Sequence, residues 1–520
     1  MKTILLPLIA GFFWTTLEAQ LTLDTLKQKE YVAKNIFKTS EYTQCPLPDF
    51  SQTKDLLPQP VFDEDPGYLD MYWKTWKLVF GRFRQPAPGS PFVSNYIDEA
   101  FNEALFLWDT SFMTMFCNYA FRNVPGIQSL NNFYYSQMAD GEIVREIDEI
   151  TGQPRAQYAP PGTPGSLNHP ILAWAELESF RITNDIERLK KVYYPLVAYY
   201  YSYNKIKDPV SGLYYGSWAS MDNSPRLPGM LCSIDTSSEV VLFARCLARI
   251  AEIIGIKEDR LKFSAEADDL SSIINKRLWN ATTGFYYDLN DKEQIHNVKT
   301  IAGFWTLIAG IADKAQAESL VDELINPNEF NRNHMVPTVP ASEPEFKPRG
   351  EYWKGGVWSP TNVMVIEGLK KYGYDKLAND IALNHLQNVY KVYQKTGTVW
   401  EFYQPDFVEV GYQPGHNTRP DFTGWTALAP IKLFIEHKIG VLIDAPNNSL
   451  VWNITSRQNV GVRKLAFGKN TVDLICSKAA NPGEKRSVSI SSESAFTLII
   501  NFQNRKITKR IKSGLTNFTI

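Results

Sequence analysis

Four acidic residues of this chain stand inside short stretches of aromatic residues and proline: Asp109 in WDTSF, Asp222 in SMDNSPR, Glu401 in VWEFYQPD and Asp421 in RPDFTGW. Carboxyl groups in such settings suit glycosidic cleavage. One of them has to keep its proton near neutral pH, which partial burial against apolar surface promotes. A second has to be ionised, to activate water or to attack carbon, while aromatic faces stack on a pyranose ring. A carboxylate beside a tryptophan also serves as a helix cap or a salt-bridge partner, so the pattern names a chemistry without excluding a structural use.

Other chemistries lack their residues. There is no G-x-S-x-G elbow, no phosphate-cradling G-x-x-x-x-G-K-[ST] and no G-x-G-x-x-G after a strand. His169, His334 and His416 fall in loops, none paired at i, i+4 spacing, and read as hydrogen-bonded loop residues. Cys45, Cys117, Cys232, Cys246 and Cys476 form no CxxC or Cys/His cluster, so neither a metal nor a cofactor is implied. Lys and Arg number 54 against 56 Asp and Glu, a net charge of −2, which argues against a nucleic-acid partner.

The elements that must carry these residues are mostly helices. From 68 to 440 apolar residues recur at three- and four-residue spacing, as in ILAWAELESFRI (171–182), EVVLFARCLARIAEIIG (239–255) and TNVMVIEGLKKYG (361–373), with Gly255 and Gly373 at expected C-caps. Between them lie loops rich in Gly, Pro, Trp and Asp rather than strands. Antiparallel helix pairs joined by such loops predict a closed toroid of helical hairpins, although a solenoid has the same periodicity. After Gly440 the segments SLVWNI, GVRKLAFG, NTVDLICS, RSVSISS, FTLIINF and LTNFTI are short and alternating, and 441–520 reads as a small antiparallel β-sandwich. Residues 21–67 read as a proline-containing arm packed on the helical part. Residues 1–20 read as a signal peptide, with Lys2, an apolar stretch from Ile4 to Trp14 and Ala19 at the cleavage point. No later segment is apolar for long enough to span a bilayer, so the expectation is an exported protein, periplasmic or extracellular, with no membrane insertion.

The loops themselves resemble a known group. FLWDTSF (106–112) is similar to a W-D-x-x-F loop, NHPILAWA (168–175) to Q-P-P-x-x-A-W, MDNSPR (221–226) to S-G-x-D-N-S-P-R, and LWNATTGFYYD (278–288) to L-W-x-x-x-T-G-x-Y-Y-D. YWKGGVWSPTN (352–362) resembles Y-W-R-G-P-V-W-x-P-x-N, and WEFYQPD (400–406) with PDFTGWTAL (420–428) resembles E-x-Y-x-P and a closing G-W-T. In this order the motifs resemble the (α/α)6-barrel glycosidase clan that holds glycoside hydrolase family 63, with its bacterial α-glucosidase and mannosylglycerate hydrolase-like members, and more distantly the trehalases of family 37. The resemblance implies a mainly α fold, an (α/α)6 toroid with the small C-terminal sandwich appended, and an inverting mechanism. Asp222 then corresponds to the general acid and Glu401 to the general base.

The same correspondence implies substrate contacts for Trp108, Asp109, His169, Arg226, Trp353, Lys354, Trp358, Asp421 and Trp425. Trp358 and Trp425 are equally well read as inter-helix packing. An inverting pair needs about 6.5–9.5 Å between its carboxyl groups to fit a water, which suits two carboxylates on separate loops. The chain also departs from the pattern. Trp218-Ala219-Ser220-Met221-Asp222 stands where the family has E-S-G-x-D, Asp235-Thr236-Ser237 stands at D-L-N, and His169 replaces a proline. These changes surround the acid and point to altered sugar specificity. The expected substrate is an α-linked oligosaccharide, most simply an α-glucoside cleaved from its non-reducing end. Trehalose, mannosylglycerate or another α-sugar, and glycan binding without cleavage, are the alternatives.

Overall fold

A computed structural model describes residues 28–99, 102–157, 159–167, 169–479, 481 and 484–520; the expected signal peptide lies outside them. Helices alternate between an outer and an inner layer. The outer ones are α1 Gly67–Phe80, α3 Leu130–Tyr135, α5 Ile186–Ser202, α7 Lys257–Arg277, α9 Lys314–Ile325 and α11 Asp375–Thr396. The inner ones are α2 Leu107–Cys117, α4 Leu172–Thr183, α6 Ile234–Ile254, α8 Trp305–Ala309, α10 Ser359–Lys371 and α12 Ala429–Ile439. Burial explains the division. Every residue of α2 is buried, whereas α7 is polar overall and buries a stripe of Phe263, Ala267, Leu270, Ser271 and Ile274. Gly255 adopts the left-handed conformation that ends α6, as its position in the sequence predicts.

The inner helices form a ring. Contacts run from α2 to α4, α6, α8 and α10, and the turn Thr426–Leu428 that leads into α12 touches both α10 and α2. The arrangement fits a helical barrel rather than an open solenoid, because the last inner element returns to the first. Edge-to-face ring contacts continue inward from Trp108 to Phe112, Trp174 and Trp305, linking α2, α4 and α8. Buried Lys432 on α12 bridges Glu436 at 3.0 Å, Glu178 of α4 at 3.3 Å and Glu367 of α10 at 3.4 Å. Burial alone would lower its pKa, but these carboxylates reverse the effect and raise it.

Gly440, left-handed at φ +88°, turns the chain out of α12; a Cβ there would meet the Asn453 carbonyl oxygen at 2.0 Å. Two sheets follow. Strands β6 Val441–Asp444, β7 Ser449–Asn453, β11 Phe496–Phe502 and β12 Arg505–Ile511 form one. The other holds β8 Val460–Phe467, β9 Asn470–Cys476, β10 Ser487–Ser492 and β13 Gly514–Thr519 in that order. Strands β6 and β12 stand where the sequence suggested none, and the pairing differs from expectation too. The pairing of β7 with β11 is parallel, and the second sheet is completed by β1, Gln59–Phe62, antiparallel to β8. The N-terminal arm is therefore shared: Asn35 binds Tyr134 and Gln137 beside α3, while β1 belongs to the C-terminal sheet. The loops of the helical part also contain short strands where loops alone were expected. Among them β2 Ala104–Phe106 pairs with β3 Glu146–Asp148, and β4 Met230–Cys232 with β5 Asp288–Asn290.

One buried cation ties these loops to the ring. Arg226, 0% exposed, donates to Asp288 at 3.1 Å, to Ser220 at 2.8 Å and to Asp235 in the first turn of α6. Burial by itself would raise the pKa of Asp235, but Arg226, His169 and Ser220 overcome it and hold that carboxyl well below the ordinary range. At Asp288 burial prevails and the pKa is raised. Replacing Arg226 with Met leaves two carboxylates buried without a cation. A loss of about 3–5 kcal/mol in the unfolding free energy is expected from denaturant titration; a loss under about 1 kcal/mol would remove the brace from the account of the fold.

Candidate active site

The residues around one cavity of about 200 Å³ share a position in the chain: they lie at, or in the loops just before, the N-termini of inner helices. Phe106, Trp108 and Asp109 belong to the start of α2, and His169 precedes α4. Ala219, Ser220 and Asp222 precede α6, Tyr352 and Trp353 precede α10, and Glu401, Arg419 and Trp425 precede α12. Arg145, next to β3, completes the wall. Helix N-termini carry unpaired N–H groups and the positive end of the helix dipole, so this end of the ring favours negative charge. The cavity is smaller than the ~300–1,000 Å³ of pockets for drug-sized ligands, a size for one sugar ring.

Asp222 and Glu401 face this space together, from loops that precede different helices, and each contributes to the electrostatic environment of the other. Their partners differ. Glu401 Oε1 accepts from Arg419 Nη1 at 2.7 Å, and its main-chain oxygen accepts from Trp425 Nε1 at 2.7 Å. Burial raises the pKa of Glu401, with Arg419 opposing. Asp222 receives a hydrogen bond from the Tyr352 hydroxyl, while Arg145 acts on it through space; burial again raises its pKa. Its side chain is at the same time open to the cavity. Asp222 is held by its neighbour: Asn223 accepts from the Trp353 N–H at 2.9 Å and donates to the Glu351 carbonyl at 3.2 Å.

The other predicted residues divide. Trp108, Asp109, His169, Trp353 and Trp425 line the cavity. Asp109, in the first turn of α2, has its pKa pushed up to about 7 by burial, with Arg145 opposing. His169 Nδ1 lies 2.7 Å from Glu239; a carboxylate only accepts, so that nitrogen carries the proton. Its ring lies against Trp108, and Trp108 in turn against Trp425 with centroids 5.7 Å apart.

Four expected substrate contacts require correction. Arg226 spends its guanidinium on Asp235, Asp288 and Ser220 and lines no part of the cavity. Trp358 is a fully buried plate between Trp353 and Phe402, stacked at 4.5 and 4.6 Å. Lys354 turns away to Glu345 at 2.8 Å. Asp421 accepts from Thr398, with its main-chain oxygen bound by Arg82 at 3.1 Å. Sequence reasoning in turn missed Arg145, Arg419, Tyr352, Phe106, Ala219 and Ser220. Arg419 had a signal, since it opens the RPDFTGW stretch close to a carboxylate that has to be ionised. Arg145, within EIVREIDEI, had none: the run reads as a solvated alternation of charges.

Known proteins share the fold and parts of the sequence. An uncharacterized protein of Borreliella burgdorferi is 27% identical over 472 residues, 87% of this chain and 96% of that one. A mannosylglycerate hydrolase of Thermus thermophilus is 42% identical over a stretch of 103 residues, 19% of this chain and 24% of its own. Among solved structures, a GH63 mannosylglycerate hydrolase from another strain of Thermus thermophilus, in complex with glucose, superposes with a TM-score of 0.56 at 21% identity, covering 70% of this chain and 99% of that one. Neutral trehalase Nth1 from Saccharomyces cerevisiae superposes with a TM-score of 0.53 at 16% identity, covering 65% and 74% respectively. Residues 127–408 match the sequence model of the mannosylglycerate hydrolase MGH1-like glycoside hydrolase domain, and the chain belongs to that family.

Proposed function

We propose that the chain is an exported, inverting α-glycosidase built on an (α/α)6 toroid with a C-terminal β-sandwich, acting on the non-reducing end of an α-linked oligosaccharide. The observation that supports this most directly is the unequal pair of carboxyl groups in one cavity sized for a single ring. Asp222, bound by a neutral hydroxyl, is the general acid: it gives its proton to the glycosidic oxygen as the bond to the anomeric carbon breaks. Glu401, paired with a guanidinium, is the ionised base: it takes a proton from the water that attacks the opposite face of that carbon. The tryptophan walls exclude bulk solvent and leave the apolar face of the ring something to rest on. A second reading keeps this chemistry and changes the substrate to a glycoside with an anionic aglycone such as mannosylglycerate. Arg145 in the cavity wall and the relative of that name favour it.

Purified full-length protein is expected to release reducing sugar from at least one member of a panel of α-linked glucose and mannose disaccharides and mannosylglycerate. Asp222→Asn and Glu401→Gln should each lower kcat by about 10²–10⁴, the range of a single acid or base. Saturable binding of a sugar with no release by any of the three proteins would instead favour a non-catalytic glycan-binding role. The first product seen by proton NMR should be the β-anomer, since a single displacement inverts an α-linkage; an α-anomer would replace the inverting mechanism with a double displacement.

The pH dependence has a definite sign. Rate falls on the acid side as Glu401 gains a proton and on the basic side as Asp222 loses one. Arg419 favours ionised Glu401, so Arg419→Met should move the acid limb of kcat/KM to higher pH. An acid limb that stays in place would remove Glu401 from the role of base.

A further inference from the structure

The cavity wall continues outward on the side of the acid into a tryptophan that none of the roles above uses. Trp218 begins the short turn Trp218–Ser220, whose Ala219 and Ser220 line the cavity just ahead of Asp222. It is the large aromatic residue that this loop leaves open to water, 44% exposed. The ring is not loose. The guanidinium of Arg145, itself part of the cavity wall, lies over it at 5.0 Å, and the same guanidinium lies over Phe106 at 5.8 Å. Arg145 is fixed in turn by an ion pair with Glu146 at 3.0 Å. Phe106, Arg145 and Trp218 therefore form a layered stack that starts in the cavity wall and ends in a ring open to water.

Position gives that ring a role. An exposed tryptophan alone says little, since scattered apolar residues are normal at protein surfaces. This one precedes by four residues the carboxyl group that has to reach the glycosidic oxygen, which is the boundary between the cleaved ring and its leaving group. A cavity of about 200 Å³ suits one ring, which would leave a second ring outside it, and the indole stands outside the lining on the loop that carries the acid. A flat ring already held by a cation can be stacked upon at low cost in conformational entropy. A small aglycone such as glycerate would not need it. Here the sequence also leaves the family pattern, with Trp218 where glutamate is usual.

We propose that Trp218 is the stacking platform for a pyranose leaving group, which makes the substrate a disaccharide or longer glycan rather than a sugar joined to a small aglycone. The inference rests on the hydrolase reading above, and one experiment separates the two. Wild type, Trp218→Ala and Trp218→Phe are assayed on α-glucosyl and α-mannosyl fluorides, whose leaving group is too small to reach the indole, and on α-linked glucose and mannose disaccharides. Trp218→Ala should lower the ratio of kcat/KM for the cleaved disaccharide over its matched fluoride about tenfold, mainly through KM, the order of one aromatic stack. Trp218→Phe should restore most of the ratio, and circular dichroism should show all three proteins folded alike.

Equal losses on both substrates, or a ratio unchanged in Trp218→Ala, would overturn the platform. So would a wild type that cleaves a fluoride and no disaccharide. A wild type that cleaves neither overturns the hydrolase reading, and the platform with it.

Discussion

Arg226 has no access to water, and its guanidinium holds three pieces of backbone at once: the turn at Ser220, the first turn of α6 at Asp235 and β5 at Asp288. Asp222 lies between the first of these anchors and Arg226 itself. A buried cation between two buried carboxylates is an expensive way to join loops, because all three ions give up hydration. It is also a directional way: the planar fork donates to carboxylates only in set orientations, so a displaced loop loses its partner outright. Greasy packing would tolerate sliding. A proton donor that has to meet one oxygen atom tolerates none.

The cavity above this brace follows a consistent electrostatic plan. Inner-helix N-termini surround it, and Arg145 and Arg419 stand in its wall. Burial raises the pKa of Asp109, Asp222 and Glu401 alike, and what differs among them is the nearest counter-charge. Arg419 touches Glu401 directly, while Arg145 acts on Asp109 and Asp222 through space. Two carboxyl groups, Glu401 buried and Asp222 open to the cavity, are thus given different work by where two guanidinium groups stop.

Much of this was legible in the sequence, and the failures have physical reasons. The helical period over 68–440, the cap at Gly255 and the change of texture at Gly440 all report local burial, which a single chain records faithfully. Asp222, Glu401 and five further predicted residues meet in one cavity because the loops that carry them are set at helix N-termini. Strand β12, RKITKRI, was hidden because cations stand on both of its faces, Arg505 and Lys509 beside Ile507 and Ile511, and mask the alternation. Strand β6 was too short to stand out beside the helix it follows. Arg226 and Trp358 were assigned to substrate because residue type does not say which side of a loop a side chain takes. The parallel pairing of β7 with β11 and the transfer of β1 to the far sheet are facts of three-dimensional neighbourhood, with no local trace.

That transfer of β1 bears on how the molecule comes to be made. Residues 59–62 take their partner from residues 460–463, and α1, next along the chain, packs on α12. Residues 59–80 therefore wait for partners far along the chain. Until α12 and β8 have left the ribosome, α1 lacks its neighbour and the ring stays open with apolar edges facing water, a state prone to clumping. If export is the route, as proposed above, such delay is an asset: nothing can snap shut too soon.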